Sequence, residues 1–214
     1  MRILFINPNA TASMTDKIAA AAKAAAGPGT VILSATNRAG PPSIQGPADG
    51  DAAEPGLLAL IGEREGEADA FVIACFDDTG LERARALTDK PVLGIGEAAM
   101  RAAGAGGRAF SVVTTLSVSV PVIEENVRAY GLEAACRRVR ASEVPVLALE
   151  EPGSAARETV AAEIAAALGE DRPDAIVLGC AGMADLAETF SARFGLPVLD
   201  GVVCAVKALE ARGR

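Results

Sequence analysis

Two cysteines recur in one setting, half a chain apart. Ala68-Asp69-Ala70-Phe71-Val72-Ile73-Ala74-Cys75 is matched by Pro173-Asp174-Ala175-Ile176-Val177-Leu178-Gly179-Cys180. Each copy is an Asp-Ala pair, a short apolar run, a small residue and a thiol. The chain has no histidine, the side chain that most often moves protons near neutral pH. Cysteine, with a free pKa near ~8.5, is the next group able to do so. A matched pair of thiols points to proton transfer on two sides of one substrate. A buried cysteine at a strand end is ordinarily packing, but the duplication and the missing histidine argue for function. Cys136 and Cys204 lack the pattern and read as structural. A Cys75–Cys180 redox disulfide is compatible with the spacing and ranks below proton transfer.

The elements that must position these thiols follow from the pattern around them. Short apolar strands alternate with Ala-rich helices, the signature of a parallel α/β fold. Strands are expected at 2–6, 30–35, 70–75, 91–95, 108–114, 135–141, 175–179 and 197–200. Helices are expected at 13–26, 55–66, 79–87, 117–130, 154–168, 183–194 and 202–212. Residues 36–56, rich in Gly, Pro, Asp and Ala, read as a long loop. The chain also repeats itself. The spacing from Arg2 to Cys75 matches that from Arg108 to Cys180 within one residue, and each thiol is followed by a helix and a Pro-Val-Leu strand. So long a period is a domain duplication, not a solenoid. The expected architecture is two pseudo-symmetric lobes, each a parallel sheet flanked by helices, with the active site in the interlobe cleft. Residues 1–98 plus 197–214 would form the first lobe and 99–196 the second, the last strand and helix returning to the first.

Composition narrows the partners. The 214 residues are half hydrophobic, with no Trp, one Tyr and a formal net charge of -8. The lack of a basic tract and of stacking aromatics argues against nucleic acid and anionic membranes. The four apolar residues before Asn7-Pro8-Asn9 are too few for a signal peptide, and no stretch nears the ~18 residues of a membrane helix. Four widely spaced cysteines without histidine make a zinc site improbable and suggest a reduced, cytoplasmic protein. Gly94-Ile95-Gly96-Glu97 resembles a dinucleotide fingerprint lacking its third glycine, and reads as a strand-to-helix turn. Asp77-Asp78 reads as a capping or loop pair rather than a metal site.

Ligands of open parallel sheets bind beyond the carboxyl ends of the strands. Asn7 and Asn9, Thr114 and Thr115, Cys75 and Cys180 fall there. The helix start after each thiol offers free N–H groups, while Asp77 and Asp78 oppose thiolate formation at Cys75.

The motifs Ile6-Asn7-Pro8-Asn9-Ala10-Thr11, Ala74-Cys75-Phe76-Asp77-Asp78-Thr79-Gly80-Leu81, Gly94-Ile95-Gly96-Glu97-Ala98, Val112-Val113-Thr114-Thr115-Leu116, Gly179-Cys180-Ala181-Gly182-Met183 and Pro197-Val198-Leu199-Asp200-Gly201 run across nearly the whole chain. In this order they resemble the aspartate/glutamate/hydantoin racemase superfamily, in particular its hydantoin racemase branch. The resemblance implies a cofactor-independent racemase or epimerase with no metal, using Cys75 and Cys180 as exchanging base and acid. It also implies that Asn7, Thr114, Thr115, Gly182 and Met183 line the substrate pocket. The substrate would be a small molecule such as a 5-substituted hydantoin, allantoin or a related ureido or amino acid, and the protein a homo-oligomer. Residues 41–56 depart from the family after Ile44, which bears on the substrate rather than on the thiol chemistry. Two other readings stand beside this one. One is cis–trans isomerisation or decarboxylation of small diacids on the same scaffold. The other is a two-lobed binding domain without turnover.

Overall fold

The computed structural model describes residues 1–151 and 155–212. The first half runs β1 (Arg2–Asn7), α1 (Ala12–Ala25), β2 (Val31–Thr36), α2 (Pro47–Arg64), β3 (Ala70–Ile73), α3 (Leu81–Leu87) and β4 (Val92–Gly94). The second runs α4 (Ile95–Gly104), β5 (Phe110–Thr114), α5 (Val120–Ala129), β6 (Cys136–Ala141), α6 (Ala156–Glu170), β7 (Ala175–Gly179), α7 (Ala187–Phe194), β8 (Val198–Leu199) and α8 (Gly201–Arg212). Two parallel sheets result, ordered β2-β1-β3-β4 and β6-β5-β7-β8. The same order twice is the pseudo-symmetry that the repeat announced. β3 and β7, the strands that lead to Cys75 and Cys180, occupy the same place in their sheets. Both are buried throughout, as parallel strands covered on both faces must be.

The repeated Asp-Ala pair has a physical reason. Asp69 accepts the N–H of Arg2 at 2.7 Å and Asp174 that of Ala109 at 2.8 Å. Each thus satisfies a backbone donor at the open end of the neighbouring strand, setting the register that carries the thiol to the other end. The main core lies between the sheets. Phe5, Val72 and Leu93 of one sheet and Phe110, Val112 and Val177 of the other share it with Met100 of α4 and Val202 and Val206 of α8. The outer faces have smaller cores under α2 and α3 on one side and α6 and α7 on the other.

Three expectations need correction. Residues 47–56 are not loop but the start of α2. Gly46 turns the chain at φ 124°, and Pro47 occupies a first-turn position where its missing N–H costs nothing. The Gly/Pro content that suggested a loop serves packing here. A Cβ at Gly56 would collide with the Asn37 amide, which donates to Ala53 O and Pro8 O. The last strand does not return to the first lobe. β8 pairs with β7, Val198 opposite Ile176 and Leu199 opposite Val177, because the short α7 leaves the chain beside β7. Only α8 crosses back, packing on α4 and α1. Finally, the segment 183–194 opens as a 3-10 turn over Ala181–Leu186 before α7. The proposed helix start at 154 and the end of the segment 197–214 fall outside the described residues. No helix among the described residues is long and apolar enough to cross a membrane.

Candidate active site

The two thiol turns are built alike. The N–H of Asp78 donates to Cys75 O at 3.1 Å, and that of Met183 to Cys180 O at 3.1 Å. Inside each turn the N–H two residues on, of Asp77 and of Gly182, faces the sulfur and favours its ionised form. Both cysteines are partly exposed, and both line one small cavity of about 30 Å3 together with Asn9, Thr114, Thr115 and Asp77. All four cysteines are free thiols; Cys136 and Cys204 lie elsewhere.

The surroundings resist charge on sulfur. Burial pushes the Cys180 thiol up to about 12, with the carboxylates Asp77 and Glu150 adding to the effect and Lys17 opposing it. Burial and then Asp77 raise Cys75 well above the ordinary thiol range, against the Asp77 N–H and Thr79 Oγ1, which donates to Cys75 Sγ at 3.7 Å. Charge on Cys180 also raises Cys75, so ionisation of one sulfur discourages ionisation of the other.

The first thiol turn is anchored by its neighbour in sequence. Asp78 sits at φ 51°, unusual for a residue with a Cβ. Its carboxylate accepts the N–H groups of Gly96 and Glu97 at 2.9 and 2.7 Å and the Tyr130 hydroxyl at 2.7 Å. It therefore caps α4 from a distance and ties the turn to the second half of the chain. The Gly94-Ile95-Gly96 motif serves this cap. A Cβ at Gly94 would collide with the Asp78 carboxylate, and one at Gly96 with Phe76 O. Asn126 Nδ2 donates to Asp77 O at 2.9 Å, and Ser119 Oγ to Asp77 Oδ2 at 3.3 Å. Burial lifts the Asp77 and Asp78 carboxyls to about 6 and about 7.

The other residues singled out in the sequence take varied places. Thr114 and Thr115 reach the cavity, and Thr114 Oγ1 donates to Gly179 O at 2.8 Å, just before Cys180. Asn7 stands behind the wall, where its Nδ2 donates to Asn9 Oδ1, Thr11 O and Thr15 Oγ1. It positions Asn9, which does line the cavity. Gly182 lies beside the sulfur, where a Cβ would stand 3.6 Å from Cys180 Sγ. Met183 is buried in the core beneath β7 with Leu149 and Leu178. Neither Gly182 nor Met183 is part of the cavity wall.

Met14, Ile44, Phe76, Ser119 and Val146 also form the wall. Met14, Ser119 and Val146 are ordinary residue types brought in by tertiary packing. Phe76, in the motif that follows Cys75, and Ile44, in the Gly-Pro-rich stretch after Gly40, carried a sequence signal. Ile44 arrives on a strap closed by two contacts with the second half: Val146 N donates to Gln45 Oε1 at 3.2 Å, and Gly46 packs on Val118. A wider cavity of about 620 Å3 lies outside, and Asp77 is the one described residue common to both.

Paired thiols at the ends of equivalent strands of duplicated parallel sheets define the class, and comparison with known proteins gives the family. The Asp/Glu/Hydantoin racemase family model matches residues 3–209. The chain is 48% identical to a hydantoin racemase of Rhizobium meliloti over 99% of its own length and 88% of the relative's. An allantoin racemase structure from Klebsiella pneumoniae superposes with TM-score 0.94 at 46% identity, covering 99% of this chain and 86% of that one. Allantoin racemase from Pseudomonas fluorescens gives TM-score 0.94 at 41% identity over 99% and 90%. The chain belongs to the Asp/Glu/hydantoin racemase family.

Proposed function

We propose that the protein is a cofactor-independent racemase of five-membered ureides, 5-substituted hydantoins and allantoin, with Cys75 and Cys180 as its acid and base. One sulfur, as thiolate, takes the proton from the ring carbon beside the carbonyl. The electron pair of that C–H bond moves into the carbonyl as an enolate. The opposite thiol returns a proton to the other face and is left as the thiolate. The reverse reaction uses the same groups with roles exchanged, and net charge is conserved. The ring carbonyl and ureide nitrogen acidify the C–H bond, and proximity supplies much of the rest. The N–H groups of Asp77 and Gly182 support whichever sulfur is ionised, and Thr115 and Asn9 offer polar groups to the ring.

The observation that carries this reading is that two equivalent turns present their thiols to one cavity. The Coulombic penalty of one sulfur on the other supports a resting state with at most one thiolate. The names of the relatives point to the ureide class. Four widely spaced cysteines without a pairing pattern support the cytoplasm as the working compartment. The test is racemisation of optically pure 5-benzylhydantoin in heavy water, followed by polarimetry and NMR. Racemate carrying deuterium at the chiral carbon is expected; a wild-type rate in Cys75→Ser or Cys180→Ser defeats the two-thiol mechanism.

A further inference from the structure

Among the described residues, the cavity wall holds a single carboxylate and no cation. Apart from the two thiols, Asp77 is the one titratable side chain among the described residues that line it. Of its two oxygens, Oδ2 accepts from Ser119 Oγ at 3.3 Å, and Oδ1 accepts no hydrogen bond from the described residues. Its charge is felt by both sulfurs, raising Cys75 and Cys180 alike, so the carboxylate stands near the reacting centre. It also stands at the junction of the inner cavity with the wider outer one. From the second half of the chain, Ser119 donates to the carboxylate and Asn126 to the main-chain carbonyl of Asp77, holding the residue there.

An ionised carboxylate only accepts hydrogen bonds. From these observations we infer that Asp77 is the specificity-determining residue of the site: it accepts a ring N–H of a neutral ureide and repels substrates that carry a free carboxylate. The inference rests on the ureide racemase reading and deepens it. A hydantoin ring carries two N–H donors and no formal charge. A diacid, an α-amino acid or a ring-opened N-carbamoyl amino acid would bring its own carboxylate against Asp77, with no lysine or arginine in the described wall to neutralise it. Like charges in a poorly solvated space are strongly disfavoured. A substrate N–H on Asp77 also offsets part of the charge that holds both thiols protonated, so the matching ligand eases formation of the thiolate it needs.

Binding read directly by calorimetry at pH 8 tests this apart from turnover. The probes are 5-benzylhydantoin, its N1-methyl and N3-methyl derivatives, and N-carbamoylphenylalanine. Wild-type protein is expected to bind the hydantoin, to lose about tenfold to a hundredfold with one of the two methyl derivatives, and to bind the carbamoyl acid weakly. In the near-isosteric Asp77→Asn, the carbamoyl acid is expected to gain about tenfold or more relative to the hydantoin. In Asp77→Ala the methylation penalty shrinks to about threefold or less, as expected when the acceptor of that bond is gone. Circular dichroism and melting temperature certify that both variants are folded. An unchanged carbamoyl-to-hydantoin ratio in Asp77→Asn, or a methylation penalty that persists in Asp77→Ala, overturns the role of Asp77. Wild-type protein that binds the hydantoin without racemising it counts against the proposed function alone, and protein that binds no ureide counts against both.

Discussion

The Cys75 and Cys180 turns start from the same backbone and end in different company. Both follow a buried strand, close with the same hydrogen bond and direct an N–H at sulfur. The first continues Phe76-Asp77-Asp78-Thr79, with a carboxylate facing the cavity and another capping α4. The second continues Ala181-Gly182-Met183, apolar and packed against Leu149. Lys17 of α1, paired with Glu150 at 2.6 Å, acts on Cys180, while the main influences on Cys75 include no cation. Duplication supplied two equivalent thiols, and divergence gave one turn recognition and anchoring and left the other plain.

The strongest way to break this comparison is to remove each sulfur in turn. Cys75→Ser and Cys180→Ser are each expected to lower racemisation by about a thousandfold or more. Each should retain slow deuterium exchange with one enantiomer, and the two variants should choose opposite hands, as NMR in heavy water would show. Exchange of both hands by one variant would mean that the thiols do not face opposite sides.

Next come the glycines that serve each turn. Gly96→Ala pushes against Phe76 O and the Asp78 carboxylate, and should cost about 3 kcal/mol in urea unfolding. Gly182→Ala meets Leu149 Cδ1 at 3.3 Å and Cys180 Sγ at 3.6 Å, and should cost less than about 1 kcal/mol. Equal costs would remove the structural asymmetry.

The charges give the smaller effects. Cys180 should react with iodoacetamide faster than Cys75 at pH 8, since Lys17 favours the Cys180 thiolate while Asp77 is the leading charge against that of Cys75. Lys17→Met removes the group that lowers the Cys180 pKa, and should slow that alkylation about threefold. Because both thiols are raised and must lose a proton to act as base, kcat/KM should climb with pH through the range 7 to 9 without a plateau.

Much of this was legible in the sequence because it is local. Parallel strands buried on both faces read as apolar runs, and the duplicated Asp-Ala-to-cysteine segment revealed both the repeat and the thiols. What escaped depends on partners far along the chain. The first turns of α2 hid behind Gly and Pro because Asn37 occupies the space that Gly56 leaves open. The cap on α4 comes from Asp78, a helix and a strand earlier. Asn7 sits at a strand end like Thr114, yet it turns inward to hold Asn9, a choice that only the packing of α1 decides. Asp77 was visible as a charge opposing the thiolate, but its place on the cavity wall was not.

The inner cavity of about 30 Å3 holds a water or two, far less than a hydantoin ring. The Gln45–Val146 hydrogen bond and the packing of Gly46 on Val118 close the strap that carries Ile44 over this cavity, so they are the contacts a ring must displace to enter. Glycerol-thickened solvent should slow steady-state turnover more than it slows single-turnover proton exchange.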